Sequence, residues 1–161
     1  MRTDIPTARD VMIRRLVTLR PDMRAEEVAG ILLEHNISGA SVVDEDGNLV
    51  GLVSEYDCLQ AVAAAEYDYD NHDLVLTAEE MMTRAMFTIP PEMDLFAIAH
   101  EFVTHRVRRF PVVEGGHLIG QVSRRDVLRA AYELRRKLLR GKHYPDYPEG
   151  RAPIRDYPRR R

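Results

Sequence analysis

The chain contains two copies of one sequence unit, and this internal repeat restricts its fold more than any other feature. VTLRPDM, which begins at Val17, matches FTIPPEM, which begins at Phe87, at an offset of 70 residues. After one deletion in a turn, GLVSEYD at Gly51 matches GQVSRRD at Gly120 at an offset of 69. Because the matches follow in the same order, we predict two similar units of about 55 to 60 residues each.

Each unit is predicted to fold as strand, helix, strand, strand, helix. A short β-branched stretch, LVTL or MFTI, precedes a proline and an amphipathic helical pattern. Two apolar strands follow, joined by a tight turn, EDGN or EGGH, whose glycines suit positive φ. The last helix begins within a repeated Gly-x-x-Ser-x-x-Asp. A unit this small buries little surface alone, so we expect the two to pack together as one α+β module.

The predicted units span residues 8–65 and 79–133, and segments of different composition lie outside them. Residues 66–78 form an acidic connection, and residues 134–161 form a basic tail that we expect to be disordered or peripheral. Residues 1–78 hold six basic and fifteen acidic groups, whereas the chain from Tyr132 onward holds ten Lys or Arg and four Asp or Glu. The second half is therefore expected to be the better place for an anion.

Several classes of protein are not expected from this composition. No apolar run approaches the roughly 18 to 20 residues of a membrane span, and the first ten residues lack the apolar region of a secretory signal. Cys58 is the single cysteine, and the six histidines show no metal-ligand spacing, so no metal requirement is expected. No nucleophile–base pair is visible either. We expect a reduced, cytoplasmic protein that is not an enzyme.

The repeated Gly-x-x-Ser-x-x-Asp has both a structural and a functional explanation. Ser54 and Ser123 can cap the last helix of each unit, with Asp57 and Asp126 completing a capping box. The glycine before each serine can also let a ligand approach the backbone, and a helix N-terminus binds phosphate. An acidic side chain can accept hydrogen bonds from ribose hydroxyls. The same residues can serve as a cap and as a nucleotide site.

Together, the tandem repeat, the PVV strand, the glycine turn and this motif resemble a pair of CBS domains, or Bateman module, over residues 8 to 133. The resemblance implies a stand-alone bacterial or archaeal protein, shaped as a pseudo-two-fold disc with two clefts between its units. Such clefts commonly bind AMP, ADP or ATP, and some bind NAD, S-adenosylmethionine or cyclic dinucleotides. The resemblance also implies a homodimer that performs no chemistry and signals ligand occupancy to an effector protein in trans.

The resemblance assigns roles to particular residues. It places the ribose at Asp57 and Asp126, and the ribose and phosphate near Ser54 and Ser123. The residues expected to frame the base, by side chain or backbone, are Thr18, Met86, Thr88 and Val112.

Basic residues distinguish the two units. The second unit has RVRRFPVV, with Arg108 and Arg109 where members of the family often place groups that bind phosphate. The first unit has NISGASVV, with Ser38 and Gly39 at the same positions. Phosphate-binding residues of this family can also reach across to the cleft of the other unit.

The motif itself shows a second difference in charge. Arg124 and Arg125 of the second unit correspond to an EY pair that begins at Glu55 in the first. Because an arginine binds phosphate through a charge-assisted fork, we predict that the cleft of Asp126 is the stronger nucleotide site and that of Asp57 is weak or empty. The alternative is that these arginines form a solvated helix end.

Two other functions remain open from the sequence. The clefts can be empty, in which case the repeats serve only dimerisation or interaction. The basic tail can contact nucleic acid, a less favoured possibility that predicts binding with a strong dependence on salt.

Overall fold

The computed structural model describes residues 5–66, 76–84 and 86–139, with the backbone alone at residues 65 and 66. Most of the predicted acidic connection and the tail beyond residue 139 lie outside this range. Residues 134–139, which the prediction placed in the tail, continue the last helix, and Leu134 is buried in the core.

The predicted order of elements is confirmed in the first unit, and in the second unit it is confirmed from the first long helix onward. The first unit contains β1 (Thr18–Leu19), α2 (Ala25–Glu34), β2 (Gly39–Val43), β3 (Leu49–Ser54) and α3 (Glu55–Glu66). The second contains α5 (Leu95–His105), β4 (Arg109–Glu114), β5 (His117–Ser123) and α6 (Arg124–Leu139). A short helix precedes each unit, α1 (Ala8–Val11) before the first and α4 (Ala78–Met81) before the second.

The first strand of the second unit differs from the prediction. In the first unit β1 pairs in parallel with β2, and β2 pairs antiparallel with β3. In the second unit the MFTI stretch forms a single parallel bridge, between Ile89 and Val112, beside the antiparallel pair β4 and β5. Pro111 stands where β2 has Ser41, and a proline has no backbone N–H to donate to a neighbouring strand. The loss of that donor shortens the pairing.

The tight turns between the strands have the predicted backbone. Gly47 of the first unit has φ of 82°, and Gly115 and Gly116 of the second have 57° and 89°. The two turns also contact each other, because the N–H of Leu49 donates to the carbonyl of Gly116 and that of Leu118 to the carbonyl of Gly47, both at 3.1 Å. This reciprocal contact relates the units by a pseudo-two-fold axis.

The helix that precedes each unit lies in the core of the other unit. Ala8 and Met12, around α1, are buried with the core residues of the second unit. The N–H of Ala8 donates to the carbonyl of Met93 at 2.8 Å, and residues Ile13 and Gln121 form an antiparallel bridge. The N-terminal segment of the chain is therefore part of the second unit's core.

The helix α4 makes the equivalent exchange in the opposite direction. Ala78 and Met82 are buried with the core residues of the first unit. The N–H of Ala78 donates to the carbonyl of Met23 at 2.7 Å, and Thr83 forms an antiparallel bridge with Leu52 of β3. Because the two exchanges are equivalent, neither unit has a complete core without a segment from the other.

Both exchanged helices begin at a capping box. The backbone N–H and the hydroxyl of Thr7 each donate to the carboxylate of Asp10 at 2.8 Å. Thr77 makes the same pair of hydrogen bonds to Glu80, at 2.8 and 2.9 Å. These hydrogen bonds lower the pKa of both carboxyl groups, and the bond from the backbone N–H contributes more than the bond from the hydroxyl. The caps fix where these very short helices start.

The glycines of the repeated motif accommodate the exchanged methionines. A side chain at Gly51 would overlap Met82, and one at Gly120 would overlap Met12. Both glycines are buried. The prediction that these glycines let a ligand approach the backbone is therefore wrong, because a methionine occupies that space in each unit.

No helix in the described ranges combines the length and apolar character that crossing a membrane requires.

The contact of glycine with methionine can be tested by a change of one methyl group. We expect Gly51→Ala to lower the free energy of unfolding by about 1 to 3 kcal/mol, because an overpacked core must shift. The new Cβ would lie 2.8 Å from the Cβ of Met82, so that rotation of the methionine side chain cannot relieve the contact. Urea denaturation followed by circular dichroism measures the difference.

The matched control is Gly30→Ala, in the exposed middle of α2, where an added Cβ has no neighbour within 4 Å. This variant should gain about 0.5 to 1 kcal/mol, because alanine favours a helix over glycine. Equal stability of the Gly51→Ala variant and the natural protein would contradict the packing described above.

Candidate functional site

A cavity of about 660 Å³ lies between the two units and is lined by residues of both. The first unit contributes residues 38–40, 52–57 and 59. The second unit and the segment before it contribute residues 83, 86–87 and 107–109. The volume is typical of a site for a small organic ligand.

One end of the cavity is formed by the start of α3. The N–H and the hydroxyl of Ser54 donate to Oδ2 of Asp57 at 2.7 and 2.6 Å, so the predicted capping box is confirmed. These bonds hold the carboxylate at the cavity wall. Its second oxygen, Oδ1, has no hydrogen-bond partner among the described residues and can accept from a ligand.

The cavity also contains two arginines from the second unit. Arg109, at the start of β4, donates to the carbonyl of Gly39 at 3.2 Å and to the hydroxyl of Ser38 at 3.1 Å. Arg108 is exposed and makes no hydrogen bond or ion pair within the part of the chain that is described. The site therefore combines a carboxylate of one unit with two guanidinium groups of the other.

This arrangement differs from the grouping that the sequence suggested. The hypothesis associated Arg108 and Arg109 with the cleft of Asp126, whereas the structure places both in the cavity of Asp57. Ser38 and Gly39 occupy the equivalent positions of the first unit, and Arg109 reaches across to them. The arginines cross to the other unit's cavity because the units face each other around the pseudo-two-fold axis.

Met86, Phe87 and Val107 form an apolar wall of the cavity. Met86 is half-buried, and Phe87 is 52% exposed. The ring of Phe87 stacks on His105 with centroids 3.8 Å apart, and Nε2 of His105 lies 3.0 Å from the carboxylate of Glu101.

Phe87 was not among the predicted residues, although an aromatic residue beside Thr88 in an otherwise β-branched stretch was a usable signal. Leu52, Thr83 and Val107 were also missed, because nothing in their local sequence marks them.

The remaining predicted residues do not line this cavity. Ser123 and Asp126 form the second capping box, with hydrogen bonds of 2.9 and 2.6 Å, at the start of α6. Val112 is fully buried in the core of the second unit. The other four are exposed: Thr18, Thr88, Arg124 and Arg125. The side chain of Arg124 donates to the carbonyl of Arg106 at 2.7 Å, which supports the alternative of a solvated helix end for this residue.

Cys58 follows Asp57 on α3 and packs against the first core. Burial raises the pKa of its thiol, and the charge of Asp57 raises it further. The thiol is therefore protonated at neutral pH and is a poor nucleophile. Within residues 5–66, 76–84 and 86–139, no cluster of three His, Cys, Asp or Glu side chains could hold a metal ion.

The family model for the CBS domain matches residues 8–64 and 78–133. This chain belongs to the CBS domain family. The two matches coincide with the two units described above, so the protein contains a CBS pair whose repeats exchange their leading helices.

Two curated relatives resemble the chain over most of its length. It is 26% identical to the chloroplastic CBSX1 of Arabidopsis thaliana, over 84% of this chain and 68% of that protein. It is 28% identical to an L-aspartate semialdehyde sulfurtransferase of Methanocaldococcus jannaschii, over 80% of this chain. The chain spans 24% of the length of that sulfurtransferase.

Two solved CBS pairs with bound ligands share the fold. CBSX2 in complex with AMP has a TM-score of 0.70 and 28% identity, covering 81% of this chain and 98% of its own. The CBS pair of protein MJ0100 in complex with 5′-methylthioadenosine and S-adenosyl-L-methionine has a TM-score of 0.64 and 27% identity, covering 80% and 98%. All three ligands contain an adenosine group.

The equivalence of the two capping boxes predicts equal effects on stability. Asp57→Ala and Asp126→Ala should each lower the free energy of unfolding by about 1 kcal/mol, because each removes the acceptor of one helix cap. Urea denaturation of ligand-free protein tests this. A loss in one variant and none in the other would show that one of the two caps contributes nothing.

Proposed function

We propose that this CBS pair binds an adenosine nucleotide in the cavity between its repeats and signals the occupancy of that cavity to a partner protein. The observation that carries the proposal is the pairing, in one cavity, of the Asp57 carboxylate with the guanidinium groups of Arg108 and Arg109. A nucleotide requires both, since its ribose offers hydroxyl donors and its phosphates are anions.

The ribose would lie at the start of α3. Asp57 is held by its cap through Oδ2, and Oδ1 remains available to accept from a ribose hydroxyl. A carboxylate that is already fixed loses little conformational entropy on binding. Ser54 lies beside it at the wall of the same cavity.

The phosphates would lie toward the arginines. A guanidinium binds a phosphate through two parallel hydrogen bonds. Arg108 has no hydrogen-bond partner among the described residues that would compete with a phosphate. Glu55 also lines the cavity and disfavours an anion beside it. The proposed phosphate position is therefore at the second unit rather than at the first turn of α3. The same arginines favour a nucleotide over the sulfonium group of S-adenosylmethionine.

The base would contact the apolar wall. Phe87 presents a ring that is half exposed and is supported from behind by His105. Aromatic side chains bind flat rings by offset stacking or edge contacts. Met86 and Val107 provide additional apolar surface without a fixed charge. The proposal thus assigns the nucleotide to the cavity of Asp57, not to the cleft of Asp126.

Signalling would follow because residues of both repeats line the cavity. A ligand that contacts both repeats stabilises the arrangement in which those contacts are simultaneous. A phosphate at Arg109 would also compete with its hydrogen bonds to Ser38 and Gly39, which join the two units. A homodimer can transmit such a change to an effector protein in trans, and the free energy involved equals the difference in nucleotide affinity between the two arrangements.

The ribose contact is tested by isothermal titration calorimetry with AMP, ADP, ATP and S-adenosylmethionine. Asp57→Asn retains an oxygen for the cap but loses the charge, and it should weaken nucleotide binding roughly 10- to 100-fold. Asp126→Asn makes the same change in the other repeat and should leave the affinity unaltered. The opposite result would move the site to the cleft of Asp126. If none of the four compounds binds, the result would favour an interaction module with empty clefts.

The phosphate contact is tested by a second matched pair. Arg108→Gln should weaken the binding of ATP and of AMP roughly 10-fold or more, because it removes a charge-assisted hydrogen bond to a phosphate. The affinity for adenosine, which has no phosphate, should be unchanged. Arg125→Gln removes an exposed arginine outside the cavity and should have no effect. Equal losses in both variants would indicate a general effect of net charge rather than a contact.

A further inference from the structure

The charges that line the cavity cancel. Among the described residues they belong to two carboxylates and two guanidinium groups, those of Glu55, Asp57, Arg108 and Arg109. A phosphate monoester brings a charge of about −1.5 to −2 at neutral pH, and each further phosphate of ADP or ATP adds negative charge. The two arginines can balance one phosphate group, but no other cation described at the cavity remains to balance a second or a third.

Glu55 lies beside the position proposed for the phosphate. Its backbone N–H donates to the carbonyl of Ser38 at 3.1 Å, and the hydroxyl of the same serine accepts from Arg109, also at 3.1 Å. The start of α3 and the guanidinium of the second repeat therefore contact one residue. Glu55 is exposed, and no cation lies within ion-pair distance of its carboxylate in the described ranges. Its negative charge is therefore available to repel an anionic group in the cavity.

The second repeat shows that the fold does not require a carboxylate at this position. Arg124 is the equivalent of Glu55, and both residues follow the serine of a complete capping box. The side chain of Arg124 donates to the carbonyl of Arg106 at 2.7 Å. Opposite charges at the first position of the two helices are thus compatible with the same cap. The charge of Glu55 is therefore explained better by the ligand than by the fold.

We infer that Glu55 is a specificity-determining residue, which restricts the cavity to a nucleoside monophosphate. The inference rests on the proposed function, because it specifies the ligand of the same site. The phosphate of AMP can bind Arg108 and Arg109, which balance its charge. The second and third phosphates of ATP would add uncompensated charge to the cavity that contains the carboxylate of Glu55, and like charges repel. Because Glu55 is exposed, solvent screens the repulsion, so we expect a difference of roughly 10-fold in affinity rather than complete exclusion.

Isothermal titration calorimetry with AMP, ATP and adenosine tests the inference, in a buffer with EDTA so that no Mg²⁺ neutralises the phosphates. The natural protein should bind AMP roughly 10-fold more tightly than ATP. Glu55→Gln removes the charge but keeps the size of the side chain, and it should strengthen the binding of ATP roughly 10-fold and that of AMP by less. The affinity for adenosine should not change. Equal affinities for AMP and ATP in the natural protein would overturn the inference, and so would a ratio that Glu55→Gln leaves unaltered.

Glu45→Gln is the matched control. Glu45 is exposed in the turn between β2 and β3, outside the cavity, and its substitution changes the net charge by the same amount. This variant should keep the preference of the natural protein for AMP. An equal gain in ATP affinity in both variants would show an effect of net charge and refute the role of Glu55. If the natural protein binds neither AMP nor ATP, the proposed function fails together with the inference, whereas equal binding of both contradicts the inference alone.

Discussion

The exchange of the short helices between the repeats is the constraint on which the rest of the structure depends. Met82 fills the space above Gly51, and the next residue, Thr83, pairs with Leu52 of β3. The chain then continues directly into Met86 and Phe87, which form the apolar wall of the cavity. The packing of one methionine on one glycine thereby positions the apolar wall in the same cavity as the start of α3 in the first repeat. The same exchanged segment therefore completes the core of the first repeat and lines the cavity.

Local features of the fold were predictable from the sequence because their causes are local. The turn glycines have positive φ, and both Ser-x-x-Asp motifs are capping boxes, since each depends on residues within a few positions. The role of Gly51 was not predictable in this way, because the methionine that requires it lies in another segment. The single bridge at Ile89 was also missed, as it depends on a missing N–H in a strand about twenty residues further on.

Placement of the arginines shows the limit of reasoning from a repeat. Alignment of the two units identifies Arg108 and Arg109 as the residues that the first unit lacks. It does not state which cavity they line, because the pseudo-two-fold axis directs them to the neighbouring unit. The equivalent positions that would serve Asp126 are Ser38 and Gly39, which carry no charge. Because the repeats differ at this pair, the duplicated fold does not present the same charge from each unit to the other.

The exchange also affects how this chain can be divided. A cut between residues 66 and 76 would separate two fragments, each holding the short helix that completes the other's core. Such fragments are suited to complementation and should form the complete module when they are mixed. A lone repeat can satisfy the same requirement by trading its leading helix with an identical copy. A pair of separate repeats is thus a structurally sound predecessor of the fused chain, and gene duplication would have made an existing contact permanent.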